Sequence, residues 1–428
     1  MKKLIYIIPI VLFLASCSGG PIFYTLENEE KIEDTNNFKP NTPANRILLF
    51  EDTANDYYVT HGKQLWYSIA NTQQNPWNMV PRPSGYSSNA VFPSIAEFNG
   101  RLYTVISDDD SNSRNGLYYI NSVTDELTRV FEYERVQGDG DDYYFYQLNL
   151  YSAGDDLYIS RIERKWNTGS SDNSTIVSSE LYHFASGAAL NAGTDLESGT
   201  LVSLPGLTGT GYTVRSVTTT GADAPGEIYM VINETGSGID YYGAGRMYRA
   251  STGSPTVFTE ESPGRSCSYN HVYYSEQNDI LLASTRETGD EHSILYKLNN
   301  SGSWGSWQTD LQGSSDVQFS FFADISGMST VDNIILVGTR GDVVSDSTSY
   351  YNGSGYYELN LADRNEPVIQ TNTFSHSANY NSTDLKEATI MSILFDQTRN
   401  KVYMTTSSTG LWMNQVDSSD DQRKWYQE

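Results

Sequence analysis

The chain has 428 residues, with 53 Asp and Glu against 27 Lys and Arg, and a formal net charge of −26. That balance excludes the Lys/Arg clusters on which nucleic-acid binding depends, and it disfavours lying flat on an anionic bilayer. Hydrophobic residues make up 38%, and 32 Tyr outnumber 15 Phe, a mix that suits half-exposed strands whose aromatic bodies pack while their hydroxyls reach water.

In chain order, the first element is an N-terminal export signal. Lys2-Lys3 form a positive start and Leu4 to Leu14 an apolar run of eleven residues, too short for a membrane-spanning helix and right for a signal peptide. The following Leu14-Ala15-Ser16-Cys17 resembles the lipobox of bacterial lipoproteins. The resemblance implies cleavage before Cys17 and a covalent lipid on that residue, anchoring the protein to a bacterial membrane. Ser18 follows where inner-membrane retention favours Asp, so the resemblance implies the outer membrane in a two-membrane cell. No other cofactor is indicated. Residues 17–44 are polar, carry Pro40 and Pro43 and lack periodicity, and read as a flexible tether. Cys267 is then the only other cysteine, so no intramolecular disulfide is expected, and it reads as a small buried core residue.

Residues 45–428 form one repetitive domain. A doublet recurs seven times, as Leu65-Trp66, Leu117-Tyr118, Leu181-Tyr182, Met247-Tyr248, Leu295-Tyr296, Tyr356-Tyr357 and Leu411-Trp412, at intervals of 48 to 66 residues. Such a period, built of short strands, marks a radial or solenoid array. The second unit predicts four strands, at 94–98, 102–106, 116–120 and 127–131, with Asn99-Gly100 as a strong hairpin turn. Comparable turns precede strand two in later units: Gly154-Asp155, Pro225-Gly226, Asn278-Asp279, Asp332-Asn333 and Arg399-Asn400. Four antiparallel strands repeated about seven times resemble the β-propeller superfamily. That resemblance implies an all-β ring of seven blades (six or eight being the alternatives), which removes exposed sheet edges. Arg46–Phe50 reads as the first inner strand and 424–427 as the last outer one, so closure needs no exchanged strand.

The spacing variation predicts the position of a site. Connections from strand two to strand three, at 104–116, 160–180, 231–246, 284–293 and 338–355, and the linkers between units, are long. In an up-and-down blade both sets emerge on one face, where binding residues are expected. Six residues past the first apolar residue of strand two lie Lys63, Asp108, Glu163, Glu234, Arg286, Arg340 and Ser408, predicting an acidic arc opposite a basic arc. Tyr143, Tyr144, Tyr146, Tyr241, Tyr242, Tyr350 and Tyr351 fall in the same predicted loops and are candidates for stacking on sugars or filling pockets. Asp108 and Asp110 with Asn112, and the run at 139–142, offer oxygen ligands, but lack the spacing of a dedicated Ca²⁺ loop. The five His show no zinc spacing, and no phosphate loop or nucleophile motif occurs. Ser301–Trp307 resembles the Asp-box turn of sialidase propellers with Ser303 in place of the Asp, which implies a turn that stabilises the fold. The sequence therefore predicts a membrane-anchored envelope propeller that binds a protein or glycan partner through its long-loop face. The alternative is a glycan-active enzyme, a sialidase-like hydrolase or lyase, using acids and arginines at the channel mouth, with Arg265, Arg286 and Arg340 available for a carboxylate.

Overall fold

The computed structural model describes residues 44–52, 55–71, 76–108, 114–138, 142–166, 174–207, 211–221, 226–234, 245–263, 267–286, 294–300, 302–309, 311, 319–325, 334–339, 355–370, 385, 388–416 and 425–428. The predicted signal and tether, residues 1–43, lie outside the described residues. Seven antiparallel sheets follow one another along the chain, each strand hydrogen-bonded to its neighbour in sequence. Their inner strands are Ala44–Glu51, Val91–Phe98, Tyr143–Ala153, Tyr212–Thr219, Ser268–Ser275, Phe319–Asp324 and Ile390–Asp396. We number the blades 1 to 7 by these strands. Blade 7 ends with its own outer strand, Trp425–Gln427, so the ring closes by side-chain contact, without strand exchange.

Two blades depart from the four-strand pattern. Blade 3 has five strands, because Val136–Gln137 pairs with Tyr143 and Tyr144 on the inner edge. Blade 5 has three among the described residues, and an isolated bridge between Tyr296 and Gln308 stands where a fourth strand would run. Four of the predicted turns form: Asn99 and Gly100 both take positive φ, 50° and 69°, as a type I′ hairpin requires, and Gly154, Asp279 and Asn400 also lie at positive φ; Pro225 and Asp332-Asn333 lie outside the described residues. The connections from strand two to strand three are shorter than expected, because the strands run on. In blade 2, against the expected 104–116, strand two ends at Ser107 and strand three starts at Arg114.

All seven doublets lie in third strands, and the first member of each has no exposed surface. In six blades this first residue packs towards the following blade and the second towards the preceding one. Leu65 joins the blade 1–blade 2 cluster with Phe92 and Leu102, for example, while Trp66 joins Tyr403 and Leu411 of blade 7. Blade 5 is slipped by one residue: Ile294 faces blade 6 and Leu295 faces blade 4. A one-residue slip exchanges the two faces of a strand, so the equivalent pair there is Ile294-Leu295. Cys267 is buried between blades 4 and 5, as expected. Gly245 donates to its carbonyl at 2.7 Å, an approach that a Cβ at position 245 would obstruct.

The inner strands are sheet edges, and their outward backbone groups need partners. Each of the seven junctions has a side chain that reaches the next inner strand. Arg46 Nη1 donates to the Ile95 carbonyl (3.5 Å), Ser94 Oγ to Leu150 (3.4 Å), Tyr151 to Val214 (2.7 Å) and Ser216 to Val272 (3.2 Å). Asn270 then donates to Phe319 (3.1 Å), Ser320 to Ile390 (2.8 Å) and Thr405 of blade 7 to Asn45 of blade 1 (3.3 Å). At the closing junction Tyr58 also donates to Asp396 (2.6 Å), while Arg399 bridges Asp396 and Asp56. Although burial acts in the opposite sense, Tyr58 and Arg399 hold the Asp396 carboxyl below its ordinary range.

Ser94 also accepts the Leu150 N–H at 2.9 Å. Ser94→Ala leaves that buried donor unpaired and is expected to cost about 2 kcal/mol. In urea denaturation this should lower the midpoint without changing the slope.

Candidate functional site

A cavity of about 590 Å³ runs along the ring axis and is lined from all seven inner strands. Six of these strands carry a bulge or register shift at the same level, near residues 45, 92–93, 215, 270, 320 and 391. Bulges re-aim side chains, and here they sit near the strand starts, on the long-loop side. The residues that pair opposite the doublet level through strand two form one layer around the axis: Arg46, Ser94, Asn149, Ser216, His271, Phe321 and Ser392. Arg215, on the blade 4 bulge, and His61, behind Arg46, also line the cavity.

The site is cationic in a strongly acidic protein. Arg46 and Arg215 line it, and among the described lining residues there is no carboxylate. Water reaches Arg46 within the channel, yet protein surrounds it, and this desolvation lowers its pKa. Its field is felt at His61, at Tyr151 of blade 3 and at His271 of blade 5. Burial raises Tyr151 to about 12, while Arg215 and Arg46 act against that rise. His61 donates from Nδ1 to the Phe92 carbonyl at 2.6 Å. His271 packs against Phe321 with ring centroids 4.7 Å apart, and its buried Nδ1 has no hydrogen-bond partner among the described residues. At the opposite, short-turn end Glu51 and Glu97 lie near enough to interact, and Glu97 is raised first by burial and then by Glu51.

The residues predicted from strand two do not form this ring, because strand one lines the axis. Lys63 is exposed in the tight turn of blade 1, where its carbonyl accepts from Arg82. Asp108 is buried, and its carboxylate accepts from the Ser87 N–H (2.8 Å) and hydroxyl (2.7 Å). Glu163 accepts from Ser178 at 3.0 Å, and Glu234 pairs with Arg246. The predicted acidic arc is thus used in local bonds. Arg286 ends a strand, and Ser408 is exposed in the final strand-two turn. Arg265, Arg340, Tyr241, Tyr242, Tyr350, Tyr351, Asp110 and Asn112 lie outside the described residues. Among the described residues no group of three or more His, Cys, Asp or Glu could hold a metal ion.

Tyr143, Tyr144 and Tyr146 are not in a loop. They belong to the inner strand of blade 3, which pairs with Asp156–Trp166 over its whole length and extends the sheet beyond the ring layer on the elaborated face. Tyr143 stacks on Trp166 (5.9 Å between centroids, 13° between planes), and Arg135 lies 3.3 Å over its ring. Tyr146 and Tyr133 flank Arg161, which Glu180 and Glu197 bind. Trp304 and Trp307, within 302–309, lie against the Lys297 ammonium, itself bonded to Glu261 at 2.6 Å.

Neither a family model nor a curated protein matches the chain by sequence. Solved structures do match in shape. The GH74 enzyme of Niastella koreensis is similar over 91% of this chain and 54% of its own, with 13% identity and a TM-score of 0.54. The extracellular domain of a one-component system from B. thetaiotaomicron is similar over 88% of this chain and 40% of its own (13% identity, TM-score 0.47). An ulvan lyase of family PL25 is similar over 76% and 79% (12% identity, TM-score 0.43). The chain spans about half the length of the first two. What the Niastella koreensis enzyme shares with this chain is the fold.

Free imidazoles titrate near 6.5. Burial, reinforced by Arg46, depresses His61 to about 4 against its bond to Phe92, and takes His271 to about 3. The unfolded chain therefore binds more protons between those values, so stability falls as pH drops below 6.5. Each His contributes a loss of up to about 3 kcal/mol by pH 4. Thermal unfolding from pH 7 to 4 should show this loss, with a shallower slope for His271→Gln.

Proposed function

We propose that the protein is a lipid-anchored propeller of the bacterial cell envelope that binds a protein or glycan partner through its long-loop face. The observation that carries this reading is the overlong blade 3. Its inner strand, Tyr143–Ala153, has eleven residues against eight in blades 1 and 2, and its pairing continues to Tyr143–Trp166. The stack of Arg135, Tyr143 and Trp166 is thereby presented on a sheet and not on a loop. Preorganised aromatic and Arg side chains on a rigid element are what a binding surface requires. Val136, 57% exposed, lies beside them. The binding reading gains further support from the channel, whose described lining supplies no pair of carboxylates for glycoside hydrolysis. Among the described residues no helix is long and apolar enough to cross a membrane, and the reading assigns membrane attachment to the lipid at Cys17.

Two experiments test these statements. Cys17→Ala is expected to move the protein from the membrane to the soluble fraction and to abolish labelling by radioactive palmitate; retained labelling would refute lipidation. In a pull-down from envelope extract, Tyr143→Ala and Trp166→Ala should deplete the captured partner about tenfold, and undiminished capture by both variants would count against blade 3.

A further inference from the structure

We infer that the long-loop end of the central channel is a binding site for a small organic anion, held by Arg46 and Arg215 with His271 beside them. This deepens the binding reading above but rests on different residues, on the axis and not on blade 3.

The layer explains why Arg46 is anomalous. Its equivalents Ser94 and Ser216 make the same junction bond, a short hydroxyl reaching the carbonyl one residue past the next layer position. Arg46 occupies that place in blade 1 and reaches the Ile95 carbonyl only at 3.5 Å. A serine suffices for the junction, so the guanidinium exceeds what the fold needs. No ion pair with Arg46 occurs among the described residues, although acids outnumber bases by two to one. Arg46 is open to the channel, so its charge is available to an anion that enters the cavity.

Arg215 is delivered to the same cavity by the blade 4 bulge. Two guanidinium groups, each a planar fork of donors, suit an oxyanion such as a carboxylate or phosphate. His271 lines the cavity beside them as a polar ring, and Phe321 and Tyr151 supply apolar surface. The cavity, about 590 Å³, is in the range that holds small ligands. Glu51 and Glu97 at the far end would repel an anion, so entry is from the long-loop face.

Isothermal titration calorimetry of the full chain at pH 7 tests this with three probes: glucuronate, glucose 6-phosphate and neutral glucose. Binding of one or both anions at millimolar concentration, with none for glucose, is expected, and the stronger of the two identifies the oxyanion. Arg46→Gln and Arg215→Gln, each shown to keep a cooperative thermal transition, should weaken binding about tenfold or more. The inference is overturned if wild type binds neither anion, if glucose binds equally well, or if both variants bind as wild type does. Intact partner capture in the pull-down alongside absent anion binding would refute the channel site alone; the reverse would refute only the blade 3 surface.

Discussion

The structure depends on how seven sheet edges are satisfied at its centre. Neighbouring inner strands do not pair in a ladder, so their inward polar groups have no backbone partner across the junction. A side chain from each blade bonds the next inner strand instead, from Arg46 to Ile95 O round to Thr405 and Asn45 O. Unpaired, such groups would either recruit another strand or carry a desolvation cost. The six bulges fall at the same level as these bonds. The polar lining of the channel is thus a by-product of ring assembly, and any recognition at the axis is built from it.

Much of the fold was legible in the sequence. The doublets mark third strands in every blade because that strand is buried between two neighbours and demands two large apolar side chains pointing in opposite directions. The turns were legible for the same kind of reason: Asn99-Gly100 and Asn400 tolerate the left-handed conformation that a tight hairpin imposes. Blade 5 shows the limit of the method. Its strand reads Ile294-Leu295-Tyr296, three apolar residues in a row, and only the register against Ser284 and Ala283 shows which two are equivalent to the others. Among the described residues, the 302–309 segment of that blade makes only isolated bridges, Asn299 with Trp304 and Tyr296 with Gln308.

The site was less legible. Charged residues at strand-two ends attracted attention because charge at a predicted loop is conspicuous, yet Asp108, Glu163 and Glu234 are bound by neighbours in their own or the adjoining linker. Arg46 and Arg215 escaped notice because a lone arginine in an alternating strand reads as an ordinary solvated position. The signal that would have found Arg46 is comparative: aligned on the doublets, the other inner strands carry Ser, Asn, His or Phe at the layer, and an arginine there is out of character. Tyr143 and Tyr144 were placed in a loop because the segment before them holds Gly138, Gly140 and three Asp, a breaker signal that belongs to a short turn and not to the whole linker.

The direction of the first inner strand has a consequence for how the molecule stands on its support. Ala44–Glu51 runs from the long-loop side towards the short-turn side, since it meets the following strand through the turn at 52–55. The chain therefore enters the ring on the same side as the channel mouth and the blade 3 hairpin. If Cys17 carries the proposed lipid, the 27 residues from it to Ala44 span at most roughly 90 Å, well beyond the radius of one domain. On that proposal the ring could stand with its mouth towards the lipid or away from it. Access to the axis would then be set by the length of residues 18–43, and shortening them would bring the channel mouth against the supporting surface.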